Sequence, residues 1–181
     1  MNTDARYLRL AVAVDYLIAK RQSSFVRPRL VVVHGNCRHE TGCLPGESIE
    51  SAHLQYPSPE VTVPVRLSHA GLIVCDCMVR FHHTPLSIGR IERLLTSDPF
   101  YRCLGANSFG QIEDAPKFTR PSLRVYVARL REQIAKAMRE GGSLVSAEDA
   151  LVSEATDSNV MVHRINLPVE IIHRAVKLMR S

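Results

Sequence analysis

The chain has 181 residues, of which 45% are hydrophobic and 23% are charged; this composition is typical of one globular domain and argues against wholesale disorder. The formal net charge of +5 is a mild basic excess, so where the basic residues lie matters more than their sum. The longest apolar run, AGLIVCDCMV, is too short to span a bilayer, which predicts a protein without a membrane partner.

The first predicted element is an amphipathic helix over residues 3–21, where apolar side chains recur at helical spacing. Asp4 and Asp15 fall within this stretch. A signal peptide needs a basic start and an uninterrupted apolar run, so we expect no export signal. The five cysteines form an odd number, which favours reduced thiols and a cytoplasmic location.

Extended segments are predicted next. Pro28 favours an extended entry into a β-branched strand at Leu30–Val33. Residues 52–59 and 60–68 predict one or two further strands, and their prolines place them at a sheet edge. Residues 1–60 are therefore expected to form a helix and a small antiparallel sheet, an arm suited to dimerisation or partner binding.

A polar, turn-rich loop between these strands contains four side chains of the types that bind zinc. A zinc-binding module is one interpretation, because Cys and His are tetrahedral zinc ligands. A polar loop with ordinary thiols is the other, because the spacing matches no standard zinc motif. We favour the second and predict no metal and no cofactor; the candidate ligands are His34, Cys37, His39 and Cys43.

Three helices are predicted in the second half of the chain. Two of them, over residues 68–81 and 87–98, begin with a serine cap, and a long loop is predicted over residues 99–117. The third helix spans residues 121–139. Its apolar residues form one stripe that must face the core: Leu123, Val127, Leu130 and Ile134.

The third helix is basic on its remaining surface. From Lys117 to Arg139 there are seven basic residues and one acidic residue. A helix in the DNA major groove needs cations for phosphates, an arginine that reaches guanine, and small side chains that permit close approach. The alternative is a basic surface that faces solvent and binds no ligand, since most runs of charged residues are solvent-exposed surfaces of this kind.

The chain ends with two further predicted elements. Residues 151–166 predict a β-hairpin, with Asp157-Ser158 as the turn. Residues 168–181 predict an amphipathic helix, because apolar residues from Val169 to Met179 lie on one stripe.

From residue 61 the predicted order is strand, helix, helix, loop, long helix and hairpin, which is the order of a winged helix. SLRVYVARLREQI resembles the recognition helix of the winged-helix effector domains of OmpR-type response regulators, and VTVPVRLSHAGLIVCDCMVRFHHTPLS resembles their entry strand, core helix and start of the positioning helix. The resemblance covers residues 61–167. It implies an α+β fold with a winged helix-turn-helix domain, whose recognition helix enters the major groove and whose hairpin wing lies near the minor groove. About 60 residues upstream are too few for a receiver domain, so phosphorelay control is not implied.

The resemblance also implies roles for single residues. Arg124, Val125 and Arg129 are expected to face the DNA groove. The other expected DNA contacts are Lys117 as a backbone clamp, Arg120, Ser122 and Arg131 at phosphates or base edges, Ser158 and Asn159 at the hairpin tip, and His163 and Arg164 beside the backbone.

We therefore expect a sequence-specific regulator of transcription that binds double-stranded DNA as a homodimer, with RNA polymerase or another regulator as a candidate further partner. The alternatives are a protein-interaction subunit that reuses the winged-helix shape and a zinc module at residues 34–43. The sequence contains no nucleophile elbow and no phosphate-binding glycine motif, so we do not expect an enzyme.

Overall fold

The computed structural model describes residues 27–37, 48–109, 118–143 and 145–175; the helix expected over residues 3–21 lies outside these ranges. Within them the fold is mixed α+β, as predicted. The strands are β1 (Arg29–Cys37), β2 (Ser48–Gln55), β3 (Thr62–Pro64), β4 (Leu86–Ser87), β5 (Leu151–Ala155), β6 (Met161–Ile165) and β7 (Val169–Ala175). The helices are α1 (His69–Arg80), α2 (Ile88–Ser97), α3 (Pro99–Phe109), α4 (Arg120–Glu140) and α5 (Ala147–Ala150).

One layer is a four-stranded sheet with the order β3-β2-β1-β7. β1 pairs antiparallel with β2 and parallel with β7, so this sheet is mixed and not purely antiparallel as predicted. The inner strand β1 is apolar, and the side chains from Leu30 to Val33 are at most 1% exposed. A continuous apolar run suits a strand that is buried on both faces.

The predicted C-terminal helix over residues 168–181 is wrong where the structure describes it. Val169–Ala175 form β7, in which Val169 lies opposite Leu30 and Ile171 opposite Val32. β-Branched residues fit a pleated sheet as well as one stripe of a helix, and pairing with β1 decides between the two. Residues 176–181 lie outside the described ranges.

The long loop predicted over residues 99–117 is also partly wrong, because its first half is helix α3. The Phe100 N–H donates to Asp98 Oδ1 at 2.8 Å, and Pro99 occupies the first helical position, where its missing N–H costs no hydrogen bond. Tyr101 and Leu104 are buried against the core. Residues 110–117 are not described.

The sheet and the helices share one hydrophobic core. α1 lies centrally, and every residue from Ala70 to Val79 is buried. The serine caps predicted for α1 and α2 are confirmed: Ser68 accepts from the Gly71 N–H and Ser87 from the Arg90 N–H. The predicted stripe of α4 is confirmed as well, since its four residues are at most 3% exposed. No helix within the described ranges is long and apolar enough to cross a membrane.

A second sheet, with the order β4-β6-β5, contains the predicted hairpin. β4 pairs with β6, so that Leu86 lies opposite His163. The turn is one residue longer than predicted: Thr156 and Val160 are joined by a hydrogen bond of 3.0 Å between the Thr156 N–H and the Val160 carbonyl, and Asn159 adopts a left-handed conformation with φ of 60°. β4 thereby attaches the hairpin beside the first residues of α2.

Candidate functional site

A groove of about 650 Å³ lies between α4, the start of α2 and the hairpin. Its arginines are spaced four and seven residues apart on α4, so they lie on one side of the helix. We call this surface the basic groove; it is lined by Arg120, Arg124 and Arg131 of α4, by Asn159, Val160, Met161 and His163 of the hairpin, and by Ser87, Ile88 and Gly89 at the start of α2.

The N-terminus of α4 is held by a capping box between Thr119 and Ser122. The Thr119 N–H donates to Ser122 Oγ at 3.0 Å, and the Ser122 N–H donates to Thr119 Oγ1 at 3.4 Å. Ser122 was expected to contact DNA, but its hydroxyl takes part in the cap. Its observed contribution is to fix the start of the helix that carries the arginines.

Arg120 and Arg124 are both exposed at the rim of the basic groove. Arg120 Nε donates to Glu92 Oε2 of α2 at 3.0 Å, with 69% of the arginine side chain exposed. Exposed ion pairs contribute little to stability, so an anionic ligand can compete for this guanidinium at small cost. Val125, next to Arg124 in the sequence, is 48% exposed.

Arg129 does not join the basic groove. Arg129 comes five positions after Arg124, which places the two roughly 140° apart around the helix axis. Arg129 instead lines a depression of about 260 Å³ together with Arg66, Ser68 and Tyr126. The structure thus places basic side chains on both flanks of α4.

Arg131 connects α4 to the hairpin. Its Nη2 donates to Ser153 Oγ of β5, and Ser153 Oγ lies 2.7 Å from His163 Nδ1 of β6. All three side chains are partly buried. Burial and the nearby charge of Arg131 lower the pKa of His163 from its ordinary value, which favours the neutral imidazole.

The hairpin tip presents Ser158 and Asn159, which are both exposed. Thr156 Oγ1 bonds Ser158 Oγ at 3.0 Å, so the tip is internally ordered. Val160 and Met161 follow directly and are 46% and 50% exposed. The hairpin therefore contributes an apolar wall opposite the arginines.

Arg164, another expected contact, is not in the basic groove. Arg164 lies next to His163 in β6, and successive strand residues point to opposite faces. Accordingly Arg164 borders a small depression on the hairpin together with Pro85, Val152 and Glu154. Lys117 lies outside the described residues.

Three parts of the site were not predicted: Ser153, the Ser87–Gly89 segment and the apolar pair Val160 and Met161. Ser87 was predicted only as a helix cap. The alternation of β5 and β6 could have shown which residues share a face, but the pairing of Ser153 with His163 depends on a register that the sequence alone leaves open.

A second polar cluster is buried in the core and shares no residue with the basic groove. His34 of β1 and Asp76 of α1 are both 0% exposed, and His34 Nε2 donates to Asp76 Oδ1 at 2.8 Å. Arg80 Nε and the Tyr101 hydroxyl donate to Asp76 Oδ2 at 2.8 and 3.2 Å. We call these four residues the buried Asp76 cluster; it joins β1, α1 and α3.

Opposing effects act on the carboxylate of this cluster. Burial by itself raises the pKa of Asp76, but the hydrogen bond from His34 and the charge of Arg80 outweigh it and hold the pKa below its ordinary value. Burial, followed by the charge of Asp76, raises the pKa of Tyr101. Asp76 is therefore a carboxylate with three donors in a dry site, which is how a buried charge is tolerated.

The zinc candidates are only partly described. His34 belongs to the buried Asp76 cluster, while His39, Cys43 and the side chain of Cys37 lie outside the described part. Among the residues that are described, no three His, Cys, Asp or Glu side chains converge to hold a metal ion. Cys77 of α1 is buried, and burial raises the pKa of its thiol to about 12, so it stays protonated and poorly suited to bind metal.

No protein-family model, curated protein or solved structure matches this chain. The function of the basic groove is therefore inferred from its own geometry and chemistry.

Proposed function

We propose that this chain is a sequence-specific double-stranded DNA-binding protein of winged-helix type that regulates transcription. The order α1, β4, α2, α4 and hairpin β5–β6 supports this proposal, with α3 inserted between the second and third helices of the motif. In this proposal α4 is the recognition helix and the hairpin is the wing.

The basic groove is the observation that carries the proposal. The major groove of B-DNA is about 12 Å wide and admits one α-helix. Arg124 projects from the exposed side of α4 beside Val125, so it can reach guanine O6 and N7 while Val125 meets a thymine methyl group. Arg120 then contacts a phosphate on the same side.

The flanks of α4 and the hairpin supply the remaining contacts in this proposal. A helix in the major groove has phosphates on both sides, so Arg129 contacts the strand opposite to that of Arg120. The hairpin tip, Ser158 and Asn159, then lies at the adjacent minor groove. A homodimer of this chain predicts two half-sites roughly 10 base pairs apart.

A selection experiment tests this function. Purified full-length protein retains genomic duplex fragments at near-physiological salt, and the retained fragments are sequenced. Enrichment of one motif is expected from the wild type, and its symmetry reports the arrangement of subunits. The Arg124→Ala variant should lose the preference at one position of that motif. Retention without any motif would mean a basic patch without sequence readout.

A protein-interaction module is the second candidate, because Val125 of α4 and Val160 and Met161 of the hairpin are exposed apolar side chains. Such exposed apolar groups also occur at protein interfaces. In that case Val125→Ser would abolish partner binding, whereas Arg124→Ala would leave it nearly intact and no duplex would be retained.

A further inference from the structure

Ser153 is the residue at which α4 and the hairpin are joined by polar contacts. Its hydroxyl accepts a hydrogen bond from Arg131 Nη2 and lies 2.7 Å from His163 Nδ1. Arg131 and His163 both line the basic groove, one from each wall. A single hydroxyl thus connects the two walls.

The hydrogen atoms of this chain of contacts can be assigned. A guanidinium only donates, so Ser153 Oγ accepts from Arg131 and has its own hydrogen left to donate. We assign that hydrogen to a bond with His163 Nδ1, which places the proton of the neutral imidazole on Nε2. Protonation of Nδ1 would turn His163 into a second donor to the same oxygen, and it would set an imidazolium charge beside the Arg131 guanidinium, which weakens this junction.

We propose that Ser153 is a positioning residue, whose hydroxyl holds the Arg131 guanidinium and sets the hairpin at the distance from α4 at which both contact one duplex. This inference rests on the proposed function. It assigns to Arg131 the role of connecting α4 to the hairpin, in place of the contact with DNA phosphates or base edges that was expected from the sequence. It also makes the fit to a specific duplex depend on a neutral His163.

Burial first, and then the charge of Arg131, lower the pKa of His163 and favour its neutral form in the free protein. Arg131 approaches from α4, and Arg120 and Arg124 line the same groove. On the hairpin, Glu154 and Arg164 border His163 on its other side. Arginine outnumbers carboxylate here, in agreement with the lowered pKa of His163.

An isosteric pair of variants separates the hydroxyl from the volume of the side chain. Ser153→Thr keeps the hydroxyl, and Ser153→Val has the same shape without it. Ser51→Ala, in strand β2 of the other sheet, controls for the removal of a strand serine. Urea unfolding first establishes that each full-length variant is folded.

The first measurement needs no DNA. Histidine nitrogen NMR of the free protein, with His163 assigned from His163→Asn, should show the Nε2-protonated form in wild type and in Ser153→Thr. In Ser153→Val, His163 should titrate at higher pH, because the neutral ring has lost its donor. The same titration in the threonine and valine variants would overturn the proposal.

The second measurement compares the affinity for a duplex carrying the selected motif with that for a scrambled duplex at one salt concentration. Ser153→Val should reduce the ratio of the motif affinity to the scrambled affinity about tenfold, and it should leave the affinity for the scrambled duplex unchanged. Ser153→Thr should keep the wild-type ratio. In wild type the ratio should also fall as the pH drops through the lowered pKa of His163, but not in Ser153→Val.

The outcomes distinguish this inference from the proposed function. If wild type discriminates between the duplexes and both variants behave like it, the proposed function stands and the role of Ser153 is refuted. Equal losses in both variants would refute it too, since volume and not the hydroxyl would matter. If wild type binds neither duplex, the proposed function itself fails, and the positioning role with it.

Discussion

The buried Asp76 cluster and the basic groove both consist of charged side chains joined by hydrogen bonds, yet they differ in exposure. In the cluster His34 and Asp76 are 0% exposed, whereas at the groove Arg120 is 69% and its partner Glu92 is 31% exposed. A buried charge cannot exchange its partners without a large desolvation cost, but an exposed one exchanges them for water or a ligand easily. Burial therefore separates a polar group that supports the fold from one that is available for binding.

This difference predicts that changes in the cluster affect unfolding and changes in the groove affect binding. The cluster ties β1 and α3 to α1 through one carboxylate. The groove is attached to the same helical core through the buried side of α4, the pairing of β4 with β6, and the buried Leu151 and Ile165 of the hairpin. Loss of a groove arginine thus leaves the core in place.

The largest effect is expected from Asp76→Ala. It leaves His34, Arg80 and Tyr101 around a site without its acceptor, and breaking a buried pair by removing one partner costs about 3–5 kcal/mol. Urea unfolding of the full-length protein measures the loss. Asp157→Ala at the exposed hairpin tip is the control and should change the unfolding free energy by less than about 0.5 kcal/mol. Equal small effects would show that the cluster is not a structural centre.

The pH dependence of the same variant sharpens this test. The pKa of Asp76 is lowered in the folded protein, so its stabilising contribution is fully present above the unfolded-state value near 4 and is lost as the pH falls through the lower folded-state pKa. Wild type should therefore lose more stability than Asp76→Ala between about pH 5 and pH 2. Parallel curves would contradict a lowered pKa.

The second effect concerns binding. Arg124→Ala should cost roughly 1–3 kcal/mol of discrimination at one base pair, because a bidentate contact with guanine is lost. Competition titrations with duplexes changed at single positions of the motif measure it. Lys136→Ala on the same helix is the matched control: Lys136 is exposed and lies 4.0 Å from Glu140, away from the residues that line the groove. A uniform loss over all duplexes would show that Arg124 contacts only phosphate.

The elements that are predicted correctly from the sequence are those whose residue pattern is compatible with only one local structure. The apolar stripe of α4 can be buried in one way only, and Ser68 and Ser87 cap the helices that follow them. The hairpin is recognised for a similar reason, since two β-like segments flank a polar turn.

The errors lie where distant partners decide between local alternatives. Val169–Ala175 has the pattern of a helix stripe and of a β-branched strand, and only β1 selects the strand. In the hairpin, a two-residue turn would have placed Ser153 opposite Val162. The longer turn shifts the register by one residue, so Ser153 lies opposite His163, which lines the groove. The contact between Ser153 and Arg131 was therefore not predictable.

A smaller effect is expected from the turn that sets this register. Asn159 has φ of 60°, a conformation that asparagine tolerates and most residues do not. Asn159→Ala should lower the unfolding free energy by about 0.5–1 kcal/mol, and Asn159→Gly should leave it nearly unchanged, because glycine adopts this conformation freely. Thermal unfolding of the two variants side by side measures the difference. If alanine and glycine behave alike, the left-handed turn does not constrain the hairpin.

The smallest effect is expected from Glu92→Gln, which removes the carboxylate that pairs with Arg120 at 3.0 Å. The pair is exposed, so stability should hardly change. Duplex affinity should increase about two- to fivefold, because Glu92 no longer competes with a DNA phosphate for Arg120. The increase should shrink at high salt.

Glu140→Gln, near the other end of α4, removes the same charge at a site away from Arg120 and is the matched control. A similar gain from Glu140→Gln would reveal a nonspecific effect of net charge, whereas a gain confined to Glu92→Gln places the phosphate at Arg120. That result would complete the contrast with Asp76, a carboxylate whose removal disrupts the fold, while removal of Glu92 frees a side chain to bind.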